Sequence, residues 1–219
     1  MSVNELYADY GTTFFPFHLR GDATQPARHS IGGLPPSGIT PEHATAHTTY
    51  FATLGLTHDL DVSLFNSFDY EDKENPNNFF EAAYRLWPHR SDLMQFIVHR
   101  RQTDIAASSR YESHLPYLGF FFEAASSDPV GFGAVPYATL DIYSDHKAGG
   151  IPYFEQLEGS ILDDSLSALS NGYIHMLQLA FPGPQDSPID ADWPFGFMIF
   201  HLFAKRVSDD GFDFLYGWA

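Results

Sequence analysis

Residues 161–180 read ILDDSLSALSNGYIHMLQLA. Leu162, Leu166 and Leu169 recur at the spacing of one helix face, and Gly172 stands where a helix would stop, because glycine accepts the positive φ that closes a last turn. Residues 173–180 then form a short apolar run suited to a strand. A helix that passes through glycine into a strand sets the pattern by which the rest of the chain is read.

Working outward, strands are expected at 48–56, 93–99, 118–123, 138–143, 195–204 and 212–218. The run at 138–143 alternates: Ala138, Leu140 and Ile142 share one face, and Thr139, Asp141 and Tyr143 share the other. Thr40-Pro41-Glu42 has the form of an N-cap, a first-turn proline and an acidic second residue, which predicts a short helix. Asn78 and Glu81 form a capping-box pattern, with Phe80, Ala83, Tyr84 and Trp87 at helical spacing and Pro88 as the stop. Aromatic residues make up 16% of the chain, with 21 Phe and 12 Tyr, and such side chains suit pleated surfaces. The irregular order of helices and strands favours an α+β, sheet-rich fold over a doubly wound one. A chain of 219 residues is enough for one large domain. Residues 1–219 are therefore read as a single globular domain, with a surface loop at 21–42 marked by Gly21, Pro26, Gly32, Gly33, Pro35, Pro36, Gly38 and Pro41. Trp218 is expected to be buried, tying the tail into the sheet.

A weak echo runs through the chain. Trp87-Pro88 precedes Met94-Gln95-Phe96, and Trp193-Pro194 precedes Met198-Ile199-Phe200. Two related halves sharing one core would produce this pattern, and so would coincidence.

Ser30-Ile31-Gly32-Gly33-Leu34-Pro35, then Phe51-Ala52-Thr53-Leu54-Gly55-Leu56 and Leu93-Met94-Gln95-Phe96-Ile97, resemble the YwqG-like bacterial family, a domain family of unknown function. His175-Met176-Leu177-Gln178-Leu179, Trp193 and Phe197-Met198-Ile199-Phe200 are similar to that family's closing pattern. These segments cover about a third of the chain. The chain departs from the pattern at Thr53 or Gly55, one of which stands where a Gln is usual, and at Pro194, where a Gly is usual. The resemblance implies a sheet-rich fold with no established activity. Some relatives lie among toxin and immunity loci, which implies an interaction role.

The formal charge is −17, from 28 acidic against 11 basic residues. That argues against nucleic acid, whose phosphates need a positive footprint, and against anionic membrane surfaces. It suits a basic protein partner, a toxin among the options. Plain solubility explains it too. Asp69, Glu71, Asp72 and Glu74 form a carboxylate run without the glycine of a calcium loop, so they are read as a solvated loop or as the contact surface for that partner. No cysteine is present, and residues 1–10 lack a secretory pattern, which fits a cytoplasmic location.

No catalytic set stands out, and no cofactor is expected. Gly-x-Ser-x-Gly is absent, and so is a phosphate-binding Gly-Lys-Ser/Thr loop. His43 and His47 are four apart and would share a helix face. Ala44 takes the place of the glutamate base that a metalloprotease would need. Thr57-His58-Asp59-Leu60-Asp61 is the densest polar cluster. His43, His47, His58 and Asp61 are the alternative reading, as ligands of a metal-dependent hydrolase. A turn after a strand, with Asp59 and Asp61 bonding local backbone, is the plain one.

Overall fold

The structure, a computed structural model, describes residues 13–22, 27–67, 86–88, 93–127, 146–150, 152, 160–183, 186–187, 193 and 198–218. Aromatic and β-branched runs here become strands, and in β4 and β10 both faces are covered, every position being buried. Twelve strands are described: β1 (Thr13–Arg20), β2 (Ser30–Ile31), β3 (Thr49–Gly55), β4 (Leu60–Asn66), β5 (Trp87–Pro88), β6 (Met94–Arg100), β7 (Leu118–Phe122), β8 (Ser126–Ser127), β9 (Lys147–Gly149), β10 (Ile174–Leu179), β11 (Phe200–Arg206) and β12 (Phe212–Trp218). Among the described residues there is one helix, α1 (Ser160–Ser170).

The strands join in a single antiparallel sheet in the order β5-β12-β11-β10-β9-β1-β7-β2-β3-β4-β6, with β8 beside β1. The expected α+β class is therefore corrected: the described residues form an antiparallel sheet curled into a half-barrel, with one helix beside it. The two halves of the sheet face each other across one core. Phe51 of β3 meets Phe200 of β11 edge to face at 5.8 Å, and Phe96 of β6 stacks on Phe214 of β12 at 4.8 Å. β6 and β12 lie near opposite ends of the strand order, so this stack is where the curl brings the ends together. Trp218 is fully buried in the same core.

β1 sits at the centre of the sheet. Its first residues pair with β8 on one edge and β9 on the other, and its last four pair with β7. Pro16 has no N–H to give a ladder, and opposite it the partner chain breaks between β7 and β8. One bond survives there, from Glu123 N–H to the Pro16 carbonyl at 2.8 Å.

The helix expected around Leu162 to Leu169 forms as α1 and ends as foreseen. Gly172 takes φ +83°, Gly172 N–H bonds Leu169 O at 3.1 Å, and Tyr173 N–H bonds Ala168 O at 3.1 Å. Ala168 packs with Leu86 and Phe203 in a small cluster on the outer side of β10–β12. No helix starts at Pro41. Residues 41–47 form bends and a turn, because side chains take the backbone groups a helix would have used. Gln95 accepts from His43 N–H at 2.9 Å and donates to the His43 carbonyl, and Thr48 Oγ1 accepts from Thr45 N–H at 2.8 Å. Trp87, expected on a helix, pairs with Tyr216 in β5. Residues 78–85, most of that helix, and the strand at 138–143 lie outside the described residues. The Trp-Pro echo falls on unlike places: Met94 to Phe96 lie in the last strand of the order, while Phe200 opens β11, third from the other end. No described helix is long and apolar enough to cross a membrane.

Candidate functional site

Among the described sequence candidates, Asp61 lines a cavity. The chain turns tightly after β3, but Thr57 makes that turn, its hydroxyl accepting from Leu60 N–H at 3.1 Å. Asp61 instead enters β4, opposite Gly55 of β3 and His99 of β6. Strand alternation then sets two faces. Val62 and Leu64 point to the main core. Asp61, Ser63 and Phe65 point outward, under the loops at 27–39 and 101–117.

Two glycines make this outer roof possible. Gly32, at φ +73°, passes so close to the 115–117 segment that an added Cβ would lie 1.9 Å from the Pro116 carbonyl oxygen. The roof is held by Gly32 N–H to Phe51 O at 2.8 Å and Gly33 N–H to Leu115 O at 2.9 Å. Gly55 leaves space that the Arg28 side chain fills, with Nε 2.4 Å from where a Cβ would stand. Arg28 thus lies across β3 at the row that holds Asp61, and its guanidinium donates to the Thr57 carbonyl.

The cavity between sheet and roof measures about 130 Å³. Tyr50, Thr53 and Asp61 form its floor, and Arg28, Arg101 and Tyr117 stand around it. A bulge in β3 between Tyr50 and Ala52 turns Tyr50 onto the face of Thr53. A hydrogen-bond chain runs beneath: Tyr50 donates to Thr53 Oγ1 at 2.8 Å, Thr53 meets Ser63 at 2.8 Å, and Ser63 meets His99 Nε2 at 2.9 Å. His99 Nδ1 lies 2.8 Å from the Arg100 carbonyl, which can only accept. Neutral His99 therefore carries its proton on Nδ1 and accepts at Nε2, so the whole chain points from Tyr50 to Arg100. Burial pushes the Tyr50 hydroxyl well above its ordinary pKa, against its bond to Thr53. Burial also raises the Asp61 carboxyl, opposed by the charges of Arg28 and Arg101.

Ser63 and His99 resemble a nucleophile and its base, but Ser63 is fully buried below the cavity floor, so no substrate carbonyl reaches it. The arrangement stiffens the cavity floor; it does not present a reacting hydroxyl. His43 and His47 are exposed in the 41–47 turn, and His58 is exposed with Nε2 3.9 Å from Asp59. Among the described residues no three His, Asp or Glu side chains gather as a metal site, so the four alternative ligands are not brought together. Asp69, Glu71, Asp72 and Glu74 lie outside the described residues.

A second polar cluster, between β9, β10 and β11, was not foreseen. His175 Nδ1 lies 3.3 Å from the Gly149 carbonyl, and its Nε2 lies 3.3 Å from His201 Nδ1. Complete burial, helped by the charge of Lys147, pushes His175 down to about 3, so it is neutral. His146 Nδ1 accepts from Ala180 N–H, which leaves Nε2–H to face Asp186 at 3.2 Å. Burial alone would raise the Asp186 carboxyl. The hydrogen bond from His146 Nε2–H, with the N–H groups of Leu19 and Gly183, brings it below its ordinary range. None of these side chains lines the cavity; they fasten β9, Gly183 and Asp186 to the sheet. Only the bare residue types marked them in sequence, since nothing local shows which histidines a distant strand will cover.

Comparison with family models, with curated proteins and with solved structures finds no match to this chain.

Proposed function

We propose that this chain is a non-catalytic, acidic protein-binding domain of the cytoplasm that occludes a basic partner, in the manner of a bacterial immunity or antitoxin-like factor. The observation that carries this reading is how the charges are used. Several of the described cations serve the protein's own structure. Lys147 is buried against the Phe14 ring, and Arg28 binds the Thr57 carbonyl. Lys205 binds the Asn171 carbonyl, and Arg206 binds the carbonyls of Ser208 and Asp209. Several carboxylates are used differently. Glu42, Asp59, Asp104, Glu112, Asp163 and Asp210 are exposed, in a chain whose formal charge is −17. The outward field is therefore strongly negative, and such a field draws and orients a cationic protein.

Asp69, Glu71, Asp72 and Glu74 are proposed as contacts, because four carboxylates within six residues concentrate that field. The resemblance to the YwqG-like family, with relatives among toxin and immunity loci, supports an interaction role. The test is capture from the host lysate on the immobilised protein at low salt, with identification by mass spectrometry. The reading expects a partner of pI above about 9, released by salt and lost when Asp69 and Glu71 are changed to Lys. Recovery of acidic partners only, or capture indifferent to salt and to those changes, overturns it.

A further inference from the structure

The hydrogen-bond chain beneath the cavity has one end that can take a proton. Ser30 gives its proton to Tyr50, Tyr50 gives to Thr53 at 2.8 Å, Thr53 meets Ser63 at 2.8 Å, and Ser63 meets His99 Nε2 at 2.9 Å. The four hydroxyl residues are buried, while His99 is half-buried and within reach of protons from solvent. A hydroxyl has one proton to give. Tyr50, Thr53 and Ser63 each have one chain neighbour on either side, so the direction of the last bond sets the direction of the others.

Neutral His99 accepts at Nε2, because Nδ1–H is committed to the Arg100 carbonyl at 2.8 Å. A second proton enters at Nε2 and points at the Ser63 oxygen. Ser63 then accepts from His99 and gives its own proton to Thr53, Thr53 gives to Tyr50, and Tyr50 gives to Ser30. The number of bonds is unchanged. Successive bonds that run one way polarise one another, which favours carrying the reversal to the end of the chain. The one hydroxyl proton left over is then that of Ser30, which lines the cavity. Left on Ser63, it would be stranded on a fully buried side chain. Tyr50 keeps a proton in both states, because burial pushes its hydroxyl well above its ordinary pKa. The charged groups around His99 divide. Asp61, opposite it on β4, attracts the imidazolium, and Asp59 stands one row further along. Arg28, which crosses β3 in the same row, repels it, as do Arg100 and Arg101 that follow it in sequence.

We propose that protonation of His99 reverses this chain, turning the Tyr50 hydroxyl from Thr53 to Ser30 and the Ser30 hydroxyl away from Tyr50. The fold thereby converts pH at the outer surface of β6 into a change of hydrogen-bond polarity at the cavity floor.

NMR titration of the full chain, with the His, Ser, Thr and Tyr signals assigned, tests this. At the high-pH end, the two ring nitrogen shifts of His99 should show the proton on Nδ1. As pH falls, the Tyr50 ring carbon that bears the hydroxyl should shift with the same midpoint as His99 Nε2. The nuclear Overhauser contact of the Tyr50 hydroxyl proton should move from Thr53 to Ser30. His99→Gln should lose the Tyr50 shift, which assigns it to this histidine. Ser63→Ala cuts the chain and leaves the imidazole: His99 should still titrate, and Tyr50 should no longer follow it. If that variant does not fold, the hydroxyl contact in the native protein decides, because a charge acting through space would leave it on Thr53. A neutral His99 with its proton on Nε2, a His99 that stays neutral until the protein unfolds, a Tyr50 signal that stays flat while His99 titrates, or an undiminished Tyr50 shift in Ser63→Ala would overturn the proposal.

Discussion

Single positions decide much of this molecule, and Gly32 shows how. Its φ of +73° and the Pro116 carbonyl 1.9 Å from a would-be Cβ impose two separate penalties. Gly38, at φ +78°, has nothing within 4 Å and carries only the first. Gly38→Ala should therefore cost about 1 kcal/mol, the left-handed penalty, while Gly32→Ala should cost at least ~2 kcal/mol more, since backbone must move. Urea unfolding of both variants checks this; equal costs would mean that the roof is not tightly packed there. His175 gives a pH prediction. It binds a proton at about pH 6.5 when unfolded and at about pH 3 when folded. Between those values the unfolded chain holds more protons, so stability falls as pH drops from 6.5 toward 3. Asp186, lowered, adds to the fall below its ordinary value of 3.8, and Asp61, raised, opposes it above that value. Unfolding at pH 7 and pH 5 should show a loss in the native protein that His175→Gln reduces by up to ~2 kcal/mol. An unchanged pH dependence in the variant would rule His175 out as its source. Asp61 was legible in the sequence only as part of a polar cluster. Its turn was visible, but its burial was not, because the roof that covers it comes from residues 27–39 and 101–117.

At the scale of elements, legibility followed local signals. β3, β6, β7, β10, β12 and α1 were readable, since apolar runs and a Schellman-type glycine stop are local features. β11 was readable from Phe200 on, but Met198 and Ile199, expected in it, lie before its start, and residues 195–197 lie outside the described residues. β1 and β4 were missed. β1 carries a proline, which normally argues against a central strand. β4 shows Asp61, Ser63 and Asn66 among its apolar residues, which resembles a solvated loop until both faces are covered. The helix at Pro41 failed because a capping pattern without an apolar stripe has nothing to bury. The overestimate of helix content that gave an α+β class began with such caps. The contact that closes the curl, Phe96 on Phe214, has its own test. Single changes to Leu and the double change should reveal a coupling of about 0.5–1.5 kcal/mol, the usual worth of a stacked aromatic pair. Strictly additive losses would show that β6 and β12 do not meet through these rings.

For the whole molecule, closure rests on pairs far apart in sequence. β1 touches β7, β8 and β9, and His18 meets Glu123 across 105 residues. No window of sequence holds both partners, so the half-barrel could not be read from periodicity alone. Net charge needs no partner residue to be known, which is why it carries the functional reading. The most direct test of that reading is the association rate with the captured partner, measured by stopped flow across ionic strength. Exposed charges are screened over a Debye length of about 8 Å at physiological salt, and steering acts mainly on association. Raising salt from about 20 to 300 mM should slow association at least tenfold while changing dissociation little. The Asp69→Lys, Glu71→Lys variant should start slow and respond less to salt. Association that ignores both salt and the charge reversals would contradict the account, leaving the −17 charge as a solvated surface.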